Sequence, residues 1–410
     1  MRLVSDSTDS IMSIFKYFIY WTLVFSVGCQ AQDITTKSFG DGIINSVARD
    51  SSFSIKFGAR FQSLFAYRSG KSESVGFISS SSNFLIRRAR LKFDGFAYSP
   101  RLNYKIELGL SNRDMSGASV FTGNAPRYLL DALLKWNFYE NFVLWIGQAK
   151  LPGNRERIIS SSDLQLVDRS LLNSRFNIDR DLGIQIHHKL NLGNQFIIKE
   201  IFSFSQGEGR NVVTGNIGGF QYTGRLEILP FGEFEDYQEA ALERYKMHKL
   251  ALGISYDYNV NAVKTRSNMG AYMFTENGFH HSDITTFFAD FIFKYGGVSI
   301  LGEFAQRNAN NPIAIEDDGT PTGAIVNVGN SINIQGGYLF DNNIEIIGRF
   351  TRNIEAIPEE VSNHQNNYTF GVSKYISGHR LKVQTDISFS DYPNSELNTI
   401  GCRFQVEIHL

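Results

Sequence analysis

Apolar and polar residues alternate singly from residue 53 to the end of the chain. Phe53, Ile55, Phe57, Ala59 and Phe61 share one parity, and Ser54, Lys56, Gly58, Arg60 and Gln62 share the other. Leu102, Tyr104, Ile106 and Leu108 alternate with Asn103, Lys105 and Glu107, and Leu381, Val383 and Ile387 with Lys382, Gln384 and Asp386. A period of two places successive side chains on opposite faces, so each segment predicts a strand with one apolar and one polar face. About sixteen such segments follow one another, an even number within the range of single-chain barrels that cross a membrane.

The links between segments sort by length. Short ones, such as Tyr98-Ser99-Pro100, Tyr139-Glu140-Asn141, Asn191 to Asn194, Gly296-Gly297, Asp341-Asn342-Asn343 and Ile376-Ser377-Gly378, carry turn residues that close tight hairpins. Between them lie longer polar stretches at about 68–83, 111–127, 151–179, 206–219, 259–283, 308–329, 353–366 and 390–398. Short turns on one side and long loops on the other are the arrangement of a transmembrane antiparallel β-barrel with short periplasmic turns and long extracellular loops. The link 230–248 breaks the rule: parity puts it on the short side, yet it is long and predicts a helix from about Glu235 to Tyr245, either a surface helix beneath the barrel or a contact for a periplasmic partner. The last strand, Ile400 to Leu410, reaches the end of the sequence and must pair with the first, because an open edge in lipid leaves backbone groups unsatisfied.

Composition fits this picture. Aromatic residues make up 13% of 410 residues, with 34 Phe and 18 Tyr, at a net charge of −1. After residue 30 no run reaches the roughly 18 apolar residues of a membrane helix. Aromatics such as Tyr67, Tyr98, Trp136, Trp145, Tyr256, Tyr258, Tyr295 and Tyr338 fall near strand ends on the apolar parity, as an interfacial girdle would. At the other end of the chain, Lys16, the apolar run Phe18 to Val27 and the small residues Cys29 and Ala31 read as a secretory signal over 1–31. Asp6 and Asp9 sit badly in such a segment, which points to Met12 as its start. A lipid anchor at Cys29 is an alternative, although Ser26 stands where such sites favour Leu. Residues 32–51 then form a short periplasmic segment and 52–410 one barrel domain. Once the signal is removed Cys402 is the lone cysteine, so no internal disulfide is expected.

Several stretches resemble the family of phosphate-selective porins O and P. They are F-G-A-R-F-Q (57–62), F-L-I-R-R-A-R-L-K-F-D-G (84–95), I-G-Q-A-K-L-P (146–152), S-S-S-D-L-Q-L-V-D-R-S-L (160–171) and R-D-L-G-I-Q (180–185), with weaker echoes at 222–226 and 302–304. The resemblance implies a sixteen-stranded outer-membrane barrel, usually a homotrimer, through which anions diffuse. The expected partners are outer-membrane lipid and small anionic solutes, with no nucleic acid and no cofactor.

Parity assigns about 17 bases and about 11 acids to the inner face, and charge lining a pore sets its selectivity. Arg60, Arg88, Arg90 and Lys92 are the strand candidates for anion binding. Lys150 joins them at the end of the fifth strand, and the loop 151–179 that follows, where porins fold a loop inward, adds Arg155, Arg157, Arg169 and Arg175. Arginine suits bidentate contact with phosphate or carboxylate oxygens. The competing reading of each is a charge ladder between neighbouring strands, and for the loop an Asp168–Arg169 pair that pins it to the wall. His187-His188, His280-His281 and the run Glu316 to Gly319 do not form a metal or catalytic constellation, so no enzyme is expected. The alternative function is a structural or adhesive barrel acting through its outer loops.

Overall fold

The computed structural model describes residues 42–72, 76–115, 117–193, 195–356, 363–393 and 397–410. The expected signal segment, most of the N-terminal segment and Asn194 lie outside these residues. Sixteen strands follow in chain order: β1 Ser54–Ser72, β2 Gly76–Ala97, β3 Ser99–Gly109, β4 Leu129–Tyr139, β5 Phe142–Lys150, β6 Arg180–Leu192, β7 Phe196–Ser205 and β8 Gln221–Leu229, then β9 Lys249–Ala262, β10 Ser282–Tyr295, β11 Val298–Ala309, β12 Gly329–Leu339, β13 Ile344–Glu355, β14 Asn363–Ser377, β15 Leu381–Asp391 and β16 Leu397–His409. Each pairs antiparallel with the next, and β16 pairs with β1 from Arg60↔His409 to Ser72↔Leu397. The sheet is therefore a closed barrel, and closure satisfies every backbone ladder that lipid could not.

A short strand, Ile44–Val47, runs against β1 at Ser54 to Phe57, just past the point where Leu410 exchanges backbone hydrogen bonds with Ala59 at 3.2 and 2.9 Å. It prolongs the line of β16 and covers the edge of β1 that β16 is too short to reach.

The burial pattern is inverted relative to a water-soluble barrel. In β9, Leu252, Ile254 and Tyr256 are exposed while Ser255 and Asp257 are buried. Exposed large apolar side chains alternating with buried polar ones make the exterior the lipid face and the interior the wet face. No described helix is long and apolar enough to cross a membrane; the strands do the crossing. Tyr98, Trp136, Tyr256, Tyr295 and Tyr338 are about half exposed or more on the outside, in keeping with a girdle. Trp145 is not among them. It pairs across the sheet with Lys135 and Gln185, which line the lumen, so it faces in.

Two glycines show how tightly the wall is built where the inward loop departs. Gly147 (φ +125°) and Gly183 pair across β5 and β6, and a Cβ on either would come within 2.2 Å of a neighbouring carbonyl oxygen. Only glycine fits there.

Three expectations change. The stretch 68–83 is not a loop: β1 and β2 continue as one hairpin to Ser72 and Gly76. The stretches 259–283 and 308–329 fold into small hairpins, Lys264–Arg266 with Met269–Tyr272 and Ile313–Ile315 with Pro321–Ile325 among them. The segment 230–248 contains no helix, and its later part alone stays at the turn end, where Arg244 donates to the Phe340 carbonyl and Asn343 Oδ1. Its earlier part folds up into the lumen, where Asp236, Glu239, Ala240 and Ala241 are buried. Its charged groups are claimed by the wall one at a time, which favours an irregular path over a helix: Lys199 takes Asp236, Gln335 takes Glu239, and Tyr237 donates to Glu227.

Candidate functional site

The link between β5 and β6 crosses the lumen. Its two short helices, α1 Arg155–Ile158 and α2 Leu171–Arg175, are joined by extended chain. One end packs Leu151, Leu172, Phe176 and Ile178 against Phe288 and Ala305 of the wall. Burial of these side chains anchors the loop without using charge. Farther along, Gln165 donates to Ser299 Oγ at 2.6 Å, Lys382 donates to the Ser162 and Leu164 carbonyls at 2.6 and 2.8 Å, and Arg60 donates to Ser161 Oγ at 2.6 Å. The loop thus touches β10 and β11 on one side and β15 and β1 on the other.

Asp168 fastens its middle, though not through Arg169. Arg87 reaches Asp168 Oδ1 at 2.6 Å and Arg403 reaches Oδ2 at 3.1 Å. Burial opposes that carboxylate, but Arg87, Arg403 and Arg88 outweigh it and hold the acid well below its ordinary range. Arg169 instead donates to the Glu156 and Ile159 carbonyls at 2.7 and 2.6 Å. Burial, then Arg157, brings it down to about 9, so it stays charged at neutral pH.

Four cavities share lining residues in a chain from the loop end of the barrel to the turn end. An outer one of about 480 Å³ includes Arg68, Arg113, Arg169, Arg349 and Arg403, with Asp168. It meets a central cavity of about 430 Å³ at Arg113 and Arg169. The central cavity is lined by Arg87, Arg88, Arg90, Arg113, Arg127, Lys150, Arg157, Arg169, Arg180, Arg210 and Lys264, against Asp114 and Asp179 alone. Two inner cavities, of about 440 and 670 Å³, meet it at Arg90.

Several of these bases are neutralised. Arg90 grips Asp114 with two hydrogen bonds at 2.7 and 2.6 Å and also reaches Glu107 at 2.9 Å. Arg157 pairs with Asp179, and Arg180 with Asp131 at 2.6 Å. Six are not: Arg113, Arg127, Lys150, Arg169, Arg210 and Lys264 have no carboxylate within 4.0 Å among the described residues. Lys150 donates to the Ile158 and Ile159 carbonyls at 2.9 and 3.1 Å, and Arg210 and Lys264 likewise donate to backbone oxygens. A carbonyl orients a base without cancelling its charge, so the central cavity carries a concentrated positive field.

Of the nine sequence candidates, Arg88, Arg90, Lys150, Arg157 and Arg169 line the central cavity. Arg88 is tied to Gln62 at 2.7 Å and lies 3.8 Å from Asp168. Arg60 and Lys92 line the larger inner cavity, Lys92 paired with Asp94 at 2.9 Å. Arg155 is a correction. It is fully buried, bonded to Asp290 at 2.8 Å and to Glu227 and Asp236 at 3.1 Å each, so it ties the inward loop to the wall and to the segment 230–248 and lines none of the four cavities. Arg175 also lines none of them and pairs with Glu355 at 2.9 Å.

Parity hid Arg87. The register between β1 and β2 shifts between Gln62 and Ser63, leaving Arg87 as the extra residue of a bulge that turns it to Asp168. Arg113, Arg127, Arg210 and Lys264 come from three separate outer loops, and nothing local in the sequence marks their convergence.

The sequence matches the family model of phosphate-selective porin O and P over residues 55–339. An uncharacterized protein of Aquifex aeolicus (strain VF5) is 24% identical over 339 residues, covering 76% of this chain and 77% of its own. The fold is similar to that of the anion-selective porin from Comamonas acidovorans, with a TM-score of 0.56 at 11% identity over 87% of this chain and all 100% of that one. The outer membrane channel DcaP of Acinetobacter baumannii gives a TM-score of 0.52 at 12% identity over 89% and 100%. OmpTdeltaL8, a loop L8 deletion mutant of an outer membrane protein of Vibrio cholerae, gives 0.52 at 11% over 87% and 99%. Such identities speak to the fold alone, whereas the family match spans more than half of the sequence. The chain belongs to the phosphate-selective porin O and P family, as a porin of the outer membrane.

Proposed function

We propose that this porin passes small anions by passive diffusion, phosphate or pyrophosphate among them, and that it works as a homotrimer. The observation that carries the reading is the central cavity, where eleven bases meet two acids and six of those bases lack a carboxylate partner among the described residues. Rings of fixed charge select permeating ions by sign, because a counter-charge lowers the cost of leaving bulk water. An anion arriving in the outer cavity meets Arg113 and Arg169, which also line the central one, and leaves past Arg90. At each junction the shared side chains are basic, so the ion is handed on rather than trapped. Guanidinium groups offer planar, paired donors that suit phosphoryl oxygens. The similarity in fold to an anion-selective porin, that of Comamonas acidovorans, agrees with this reading.

The test is a planar-bilayer recording in chloride, with phosphate and pyrophosphate added. The proposal expects both to reduce the chloride current saturably; a current indifferent to either removes them as solutes. For the trimer, the expected result is a native mass in mild detergent of three chains, and a monomer would contradict it.

A second reading, an adhesive barrel, draws on exposed apolar residues at the loop end, notably Val120, Val213 and Phe274. Absence of conductance in folded protein would favour it.

A further inference from the structure

We propose that the inner cavity of about 440 Å³ binds organic anions that carry an apolar, planar body, aromatic carboxylates being the simplest case. This rests on the anion reading above and names a solute class for one stretch of the same path.

The wall of this cavity is unlike that of its neighbours. The central and larger inner cavities are lined mainly by polar and charged side chains, yet here Leu133 of β4, Val143 and Trp145 of β5 and Ile201 of β7 all line the space. Pro152 and Ile158 of the inward loop line it too. A water-filled passage for inorganic ions gains nothing from apolar side chains, which cost free energy when left wet.

Trp145 is also locked in place. Lys135 Nζ sits 4.0 Å from its ring centroid, and His187 stacks on it at 4.1 Å with planes 22° apart. His187 is itself fixed by a 3.0 Å hydrogen bond with Gln185. A wall already immobile loses little entropy when a ligand packs against it.

Charged side chains line this cavity as well, Glu107 and Asp131 among the acids and Lys105, Lys135, Lys189 and Lys199 among the bases. Lys150 and Arg180 line both this cavity and the central one, and Lys150 donates to carbonyls rather than to a carboxylate. A carboxylate at Lys150 places an attached ring toward Leu133, Val143 and Ile201. The volume falls in the range of small-molecule pockets, roughly 300–1,000 Å³, and leaves room for a single substituted ring. Inorganic phosphate could use the charge but not the wall.

The experiment compares benzoate with acetate, which share a carboxylate and differ in the ring, as blockers of chloride current through the purified porin in planar bilayers. Half-block by benzoate is expected at a concentration about tenfold lower than by acetate, from burial of part of the ring. Trp145→Ser and Val143→Asn, taken separately, should each bring the two concentrations to within about threefold, with the reversal potential in potassium chloride unchanged. Equal block by both anions in the unaltered protein would overturn the proposal while leaving an anion-sided reversal potential intact. So would a benzoate preference undiminished in both variants. A cation-sided reversal potential would instead strike the anion reading on which the proposal rests.

Discussion

Arg155→Met tests what holds the inward loop in place. The guanidinium donates to Asp290 at 2.8 Å and to Glu227 and Asp236 at 3.1 Å. Two other bases share these acids: Arg225 reaches Asp290 at 2.7 Å and Glu227 at 2.6 Å, and Lys199 reaches Asp236 at 3.0 Å. Three bases thus balance three carboxylates, and the substitution leaves one buried negative charge uncompensated. Breaking a buried pair from one side costs about 3–5 kcal/mol. The lower figure applies, because every acid keeps one partner. The loss falls on the docking of the loops 151–179 and 230–248, since the strand ladders do not involve this side chain. About 3 kcal/mol shifts a docked–undocked equilibrium by roughly 150-fold.

Single-channel recording is the assay. The variant should give larger and noisier steps than the unaltered protein, while retaining the shift in electrophoretic mobility on heating that marks a folded barrel. Adding Asp290→Asn restores two bases against two acids and should recover most of the quiet behaviour, a coupling read from the double-mutant cycle. Arg155→Met channels with unchanged size and noise would refute the claim that this cluster tethers the loop.

Other expectations follow from the same site. Arg113→Glu and Arg127→Glu alter bases without carboxylate partners among the described residues, so each should move the reversal potential toward the cation side, whereas Arg90→Glu also strips Glu107 and Asp114 of their shared partner and should add open-channel noise. Glu239 of the loop 230–248 is raised to about 7, by burial first and then by Glu156, with Arg349, Lys294 and Lys382 also near it. Its folded pKa exceeds the ordinary 4.5, so its contribution to docking is full below about 4.5 and is lost as pH rises to about 7. Channel noise should therefore grow between pH 5 and pH 8, and Glu239→Gln should flatten that dependence while keeping an oxygen for Gln165 N–H. The Asp168 tether has the opposite sign: its folded pKa is depressed, so it holds at and above the ordinary carboxyl range and fails only in stronger acid. Asp168→Asn should loosen the loop at neutral pH, visible as added open-channel noise.

The barrel was legible in the sequence because lipid and water impose a strict period of two, and because turns and loops sort by side. Residues such as Leu252 and Ile254 announce their face locally. The site was legible only in part. Parity puts Arg88 and Arg90 on the inner face, and both line the central cavity, but it cannot see the bulge that turns Arg87 inward. It also misplaces Trp145: Lys150 lines the lumen although it shares a parity with the exposed Ile146, so counting back from it puts the wrong residues inside. Arg155 looked like a free base, since its partners lie 72, 81 and 135 residues away. The helical reading of 230–248 failed for the same reason, as its carboxylates answer to groups on the wall and not to one another. Long-range pairing of charge decides these cases, and no local pattern records it.

Bases outnumber acids around the central cavity of this porin, and selectivity for anions should follow from that excess. The reversal potential across a planar bilayer bearing the purified protein, in a tenfold gradient of potassium chloride at neutral pH, reads that selectivity without further assumptions. A potential of the sign set by chloride is the predicted result. One of the sign set by potassium would contradict it.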